Sequence, residues 1–265
     1  MKSRFLEPLI RQDLKEKMVF LGGPRQVGKT TLAVSIASQF SPSVCLNWDS
    51  RPHRKTIMKA MWSADTPMLV FDELHKYRQW KNLIKGIWDT RSSGQQIMVT
   101  GSSRLDIYRR GGDSLQGRYH YYRLHPFTLA EISATSTTTL EFPSRPPELH
   151  FGKPSSDLAH LFKFGGFPEP CLAGTDRTLK RWQRQRFERV FREDIRDVES
   201  LRSLSEVELL GAMLPERVAS PLSFNSIATD LDVSPKTVKA WLDLLCRNYY
   251  IFRVPPYHRR LARAL

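Results

Sequence analysis

Residues 18–31 read Met-Val-Phe-Leu-Gly-Gly-Pro-Arg-Gln-Val-Gly-Lys-Thr-Thr, and this stretch decides the fold. The apolar run at 18–21 predicts a buried strand, and Gly23, Gly28, Lys29 and Thr30 then fill the pattern G-x-x-x-x-G-K-[ST]. The glycines let the chain turn tightly, so that successive backbone N–H groups converge on a concavity suited to a phosphate. In such a loop the lysine reaches the β- and γ-phosphates, and the neighbouring hydroxyl ligates Mg²⁺. A helix over residues 30–40 would turn its positive N-terminal end to the same anion. The pattern therefore predicts a nucleoside triphosphate site. Gly23, Pro24, Arg25, Gln26, Val27, Gly28, Lys29, Thr30 and Thr31 would surround the nucleotide, with Lys29 in the chemistry and Thr30 on the metal.

Working outward, strand and helix signals alternate. Strands are predicted at 18–21, 44–47, 68–71, 96–100 and 119–124, with helices near 30–39, 53–62 and 79–90 separating the first four. An amphipathic segment with Phe5, Leu6, Leu9, Ile10 and Leu14 at helical spacing precedes them. Alternation of this kind implies right-handed β-α-β units and a parallel sheet with helices on both faces. Ligands bind such a sheet beyond the carboxyl ends of its strands.

Two more strand ends carry chemistry. Met68-Leu69-Val70-Phe71 delivers Asp72 and Glu73, one β-α unit after the loop; Asp72 would hold Mg²⁺ and Glu73 would polarise the attacking water. Met98-Val99-Thr100-Gly101-Ser102-Ser103-Arg104 ends a further strand, and Thr100 or Ser102 would sense the γ-phosphate. A turn and helix cap is the plainer reading of Gly101-Ser102-Ser103. This strand series predicts the sheet order 5-1-4-3-2. Arg118 is a candidate for stabilising charge on the transferring phosphoryl group, within its own chain or from a neighbour, delivered by a loop containing Gly111 and Gly112. The alternative is an arginine paired with a carboxylate. Arg104 is a second candidate for the same role, and His75 and Lys76 read as structural.

Composition bounds the rest. At 265 residues and 40% hydrophobic the chain can build a core, and no apolar run nears the ~18 residues of a membrane span. Glu7 and Pro8 break any signal-like run, which argues against secretion. Cys45, Cys171 and Cys246 lie far apart without a C-x-x-C pair, pointing to a reducing, cytoplasmic setting and to buried, unreactive thiols. The net charge of +14 favours polyanionic partners. No Asn-Lys-x-Asp guanine motif occurs, so ATP is the expected nucleotide.

Beyond the core, residues 133–157 are rich in Ser, Thr and Pro and read as a linker or long loop. The segment 177–202 carries basic residues from Arg177 to Arg186 with acids interleaved later, and Trp182, Phe187 and Phe191 mark an apolar stripe. Residues 222–254 read as a helix-turn-helix. A first helix spans 224–231, Asp232-Val233 turn, Ser234 caps the second helix with Pro235 at its first position, and 249–254 form a wing strand. Docked on duplex DNA, Lys236, Thr237 and Lys239 would reach it first, helped by Arg253, Arg259, Arg260 and Arg263. Asp230, Asp232 and Asp243 oppose this.

Gly-Pro-Arg-Gln-Val-Gly-Lys-Thr-Thr-Leu (23–32), Phe-Asp-Glu-Leu-His-Lys (71–76), Thr-Gly-Ser-Ser (100–103), Leu-Gln-Gly-Arg (115–118), Leu-His-Pro-Phe-Thr-Leu-Ala-Glu-Ile (124–132) and Gly-Gly-Phe-Pro-Glu-Pro (165–170) occur in this order. Together they resemble the AAA+-like ATPases of bacteria and archaea that are described only as ATP-binding proteins and carry a C-terminal domain of unassigned function. The resemblance implies a P-loop core, a helical region and a winged-helix module; fuller members continue past the point where this chain stops, at Leu265. The expected organisation is a core at 1–132, a linker at 133–157, a helical region at 158–215 and a winged-helix module at 216–265. The expected activity is Mg·ATP hydrolysis driving movement of the C-terminal part. The competing reading is a nucleotide-controlled switch, binding DNA or protein with little turnover. A homo-oligomer and an unidentified protein client complete the expectations.

Overall fold

The computed structural model describes residues 2–102, 115–133, 156–195 and 204–255. Arg104, Gly111, Gly112, most of the Ser/Thr/Pro-rich stretch and Arg259, Arg260 and Arg263 fall outside the described residues. The chain divides into two compact units, Met1–Leu179 and Lys180–Leu265.

The first unit opens with α1 (Leu6–Asp13) and then alternates: β1 (Met18–Gly22), α2 (Lys29–Ala37), β2 (Ser43–Asn47), α3 (Arg51–Met58), β3 (Met68–Asp72), α4 (Trp80–Asp89) and β4 (Gln96–Thr100). β5 (Tyr119–Arg123) and the short α5 (Leu129–Ile132) follow, then α6 (Ser156–Phe164) and α7 (Pro168–Ala173). All strand pairs are parallel and the order is β2-β3-β4-β1-β5, the predicted order read from the other edge.

Apolar residues alternate between the two faces, as a two-residue strand period requires. Phe20, Leu69, Phe71, Ile97 and Val99 share one core with Ile57 of α3 and with Trp80, Ile84 and Ile87 of α4. Val19, Leu21, Met68, Val70 and Met98 share the other with Ile10 of α1 and with Leu32, Ala33 and Ile36 of α2. Every residue of β1 and β3 is buried, so these strands bring their carboxyl ends to one fixed place between two helical layers.

The second unit contains most of α8 (Asp176–Arg189), a π-helical turn at Val190–Ile195, α9 (Leu204–Met213), α10 (Phe224–Asp230) and α11 (Pro235–Arg247). The expected stripe is present: Trp182 is buried, and the Phe187 and Phe191 rings lie 4.5 Å apart. Phe191, Val207, Leu210, Ile227, Val238, Trp241, Leu242 and Leu245 form its core. Ser223 and Ser234 cap α10 and α11 by accepting hydrogen bonds from the N–H groups of Ser226 and Thr237.

Two expectations are corrected. The wing strand does not form: among the described residues 249–255 there is no strand. Tyr249 takes a left-handed φ of 56°, and Tyr250 and Ile251 pack onto the core instead, with the Tyr250 hydroxyl donating to the Gly211 carbonyl at 3.1 Å. A strand needs a neighbour to satisfy its backbone, and this unit offers none among its described residues. The cysteines are not uniformly buried either. Cys171 is buried and Cys246 partly so, but Cys45 is exposed, because it lies on the sheet-edge strand β2. The thiol pKa is raised at all three, by partial desolvation first and at Cys45 also by the nearby Asp72 carboxylate, which keeps them poor nucleophiles.

Candidate functional site

The register of the sheet builds the site. Asn47 stands opposite Asp72, and Asp72 opposite Thr100, so three polar side chains line up at the carboxyl ends of β2, β3 and β4. Asp72 follows the even positions of β3 and faces the α2 layer. Its Oδ2 accepts from Thr30 Oγ1 of α2 at 3.0 Å and from Asn47 Nδ2 at 2.9 Å, and its Oδ1 accepts from Thr100 Oγ1. Asp72 and Thr100 are buried. The carboxylate is therefore held at both oxygens before any ligand arrives.

The loop from Gly22 to Lys29 lies at the same edge. Gly23 has φ 138°, and a side chain there would press into the Leu124 carbonyl oxygen. Gly28 has φ 94°, and a Cβ there would meet nothing within 4 Å. Gln26, between them, also takes a left-handed φ of 63°. Gly28 precedes α2, and the buried Lys29 curls back so that its ammonium donates to the Gly23 and Pro24 carbonyls at 3.1 and 2.7 Å. Val27 is wholly buried, whereas Thr31 is exposed.

Glu73 leaves the strand in a left-handed conformation, φ 56°, with its N–H donating to the Thr100 carbonyl at 3.0 Å. Its carboxylate lies 3.4 Å from Lys76 Nζ and 3.7 Å from Nε2 of the buried His75. Lys76 is shared with Asp49 at 2.5 Å, and Ser102 Oγ lies 3.3 Å from His75 Nε2. Ser102 thus reaches the Asp-Glu turn through His75, and Thr100, not Ser102, touches Asp72.

Arg118 is placed elsewhere. It directly precedes β5, so it sits at the amino ends of the parallel strands, and its carbonyl accepts from the N–H of Met18, the first residue of β1. Its guanidinium grips Asp89 at the end of α4, with Nε–Oδ1 at 2.9 Å and Nη2–Oδ2 at 3.4 Å. A full strand separates it from the loop. Arg118 is thus paired with a carboxylate, at the edge of the sheet opposite the loop. That pair depresses the pKa of Asp89, chiefly through the hydrogen bond from Arg118.

Several residues of this edge went unread in the sequence. Asn47 ends an apolar strand just as Asp72 does, which was its signal. Arg4 and Glu131 form a buried ion pair at 3.0 Å. Thr128-x-x-Glu131 fits a capping box, and the structure has one: the Thr128 hydroxyl accepts from the Glu131 N–H, and Glu131 accepts from the Thr128 N–H. The Gly165-Gly166 pair also gains a physical account. Gly165 has φ 71°, the Gly166 carbonyl accepts from the Phe127 N–H at 2.7 Å, and a side chain at Gly166 would strike the Phe127 backbone.

Hard oxygens of Thr30 and Asp72 side by side, below an open loop with a lysine at its end, fit the needs of Mg²⁺ and a polyphosphate. Among the described residues no group of three His, Cys, Asp or Glu residues suits a metal held by protein alone. No helix among them is long and apolar enough to cross a membrane.

Comparison with known proteins agrees with this architecture. Residues 15–133 match a family model described as an AAA domain, and residues 155–265 match a domain of unknown function. An uncharacterized protein of Methanocaldococcus jannaschii is 23% identical over 92% of this chain and 59% of its own length. Another, of Mycobacterium tuberculosis, is 18% identical over 93% of this chain and 51% of its own. The chain thus spans about half the length of the curated relatives it matches. Among solved structures, the Walker-type ATPase of Pyrococcus abyssi superposes with a TM-score of 0.55 at 17% identity, over 93% of this chain and 89% of that one. At that identity the likeness speaks for the fold.

Proposed function

We propose that this chain, which carries an AAA domain of the P-loop type followed by a domain of unknown function, binds and hydrolyses Mg·ATP at the carboxyl edge of its sheet. The observation that carries this reading is the row Asn47–Asp72–Thr100 with Thr30 beside it, beneath the Gly23–Gly28 loop. The loop amides and α2 cradle the β-phosphate, and Lys29 leaves the Gly23 and Pro24 carbonyls for the β- and γ-phosphates. Pro24, Arg25, Gln26, Val27 and Thr31 complete the walls of the nucleotide site. Thr30 and Asp72 would hold Mg²⁺, whose charge offsets that of the phosphates. Glu73, one residue beyond the row, accepts a proton from the attacking water, and Thr100 and Ser102 tie the strand end to the state of the γ-phosphate.

The site is tested by phosphate release from the purified protein with Mg·ATP, beside Lys29→Ala and Glu73→Gln. Loss of a general base costs about 10²- to 10⁴-fold. We expect Glu73→Gln to lose turnover by that order while still binding ATP, and Lys29→Ala to lose both. Wild-type protein that binds no ATP overturns the reading.

One observation favours a second reading, a switch with slow turnover. Glu73 is engaged by Lys76, which Asp49 also holds, so the base is committed to a neighbour. Tight ATP binding with partner affinity that changes with nucleotide, and a Glu73→Gln variant no slower than wild type, would favour the switch.

Duplex DNA is the partner we propose for the second unit, through Lys236 and Lys239 on the exposed face of α11. Two of the acids opposing this are neutralised: Asp230 pairs with Arg217 at 2.5 Å, and Asp243 pairs with Arg253. Retardation of duplex DNA that weakens in Lys236→Glu/Lys239→Glu checks the assignment. Movement of the C-terminal part on hydrolysis, a homo-oligomer and a protein client belong to the same proposal.

A further inference from the structure

Arg4 lies outside every motif, yet it is buried and all three guanidinium nitrogens are engaged. Nε donates to Glu131 Oε1 at 3.0 Å, Nη1 to the Val27 carbonyl at 3.3 Å and Nη2 to the His125 carbonyl, while the guanidinium stands 4.6 Å from the Phe127 ring centroid. Glu131 is equally committed: Oε1 also accepts from the Phe5 N–H at 3.2 Å, and Oε2 from the Thr128 N–H at 3.0 Å. Desolvation outweighs the attraction of Glu131 and lowers the Arg4 pKa, although an arginine stays charged. Burying an arginine is costly, and a core of similar shape without charges is often as stable. The pair thus holds something that an apolar plug could not.

What it holds is the Val27 carbonyl, the last before Gly28. A trans peptide points its N–H opposite to its C=O. With the Val27 oxygen turned to Arg4, the Gly28 N–H is turned the other way, at the residue whose missing Cβ leaves open space within 4 Å. We infer that Arg4 is a positioning residue for nucleotide binding: it fixes the Val27–Gly28 peptide plane so that the Gly28 N–H faces the β-phosphate. Glu131 balances the charge of the buried guanidinium and so contributes to stability. This rests on the nucleotide reading of the loop given above.

The test compares ATP and ADP affinities, by a fluorescent nucleotide analogue, with thermal stability in Arg4→Lys and Glu131→Gln. A lysine at position 4 can still meet Glu131 but lacks the fork that reaches Val27 and His125 together. Arg4→Lys should weaken ATP and ADP about tenfold and equally, because both carry the β-phosphate. Glu131→Gln leaves Arg4 in place, so it should lower the melting temperature while both affinities stay within about twofold. Arg4→Lys with wild-type affinity for both nucleotides, or a loss confined to ATP, overturns the inference whatever the melting temperature. Amide exchange in the wild-type protein supplies a readout that needs no variant. Nucleotide should slow exchange of the Gly28 N–H, and unchanged exchange in a nucleotide-saturated sample overturns the inference even if Arg4→Lys fails to fold. Wild-type protein that binds neither nucleotide defeats the earlier reading, whereas binding that Arg4→Lys leaves intact defeats only the role of Arg4.

Discussion

At the carboxyl ends of the strands, Asn47, Asp72 and Thr100, far apart in sequence, close into one hydrogen-bonded row beneath a loop with left-handed φ at Gln26 and Gly28. At the amino ends of the same sheet stand Arg118 and Asp89, partners in an ion pair at the surface. The two edges belong to the same strands, yet the row at one is buried around a carboxylate and the pair at the other lies at the surface. The difference follows from direction. In a parallel sheet every strand exits at the same edge, and the loop that leaves it meets the start of the next helix there, where free amides and positive dipole ends gather. The opposite edge receives the ends of helices and is closed by whatever pairs are convenient.

That contrast can be broken at three points of decreasing force. Gly23→Ala should act hardest, since it combines a left-handed backbone with a clash against the Leu124 carbonyl. We expect a stability loss of about 3 kcal/mol or more in denaturant titration, together with loss of nucleotide binding. Thr100→Val keeps the shape of the row and removes one donor from a buried carboxylate. It should cost about 1–3 kcal/mol of unfolding free energy and slow ATP turnover. Arg118→Ala, at the other edge, should leave turnover within about twofold of wild type. Its small stabilising effect has a definite pH sense. The folded pKa of Asp89 is depressed, so the contribution is present above the unfolded carboxylate pKa and disappears as pH falls through the folded value. Melting temperatures of wild type and Arg118→Ala should therefore converge in acid, and a large, pH-independent gap would erase the distinction between the edges.

The five strands and their order were readable because each depends on local pattern and on parallel connectivity. The carboxylate pairing of Arg118 was one of two readings the sequence left open, and strand direction favours it. A residue that precedes a strand lies at the edge opposite to one that follows, and strand direction alone separates Arg118 from Lys29. Arg4 and Glu131 are different: they stand 127 positions apart, and no local periodicity links them. The wing failed because Ile251-Phe252-Arg253-Val254, though rich in strand-favouring residues, has no described strand beside it. Propensity offers a conformation, and pairing decides whether it is used.

Gly166 bears on how this protein can be cut. Its carbonyl and its missing side chain meet the Phe127 main chain directly, backbone against backbone, with no rotamer on that side able to adjust. The family boundaries run through this seam, with one match ending at 133 and the next beginning at 155, whereas the compact unit runs on to Leu179. A fragment that ends where the AAA match ends strips the cover from Phe127 and leaves its N–H without the Gly166 oxygen. The smallest piece worth expressing alone therefore extends through α7, into sequence that bears the other domain's label.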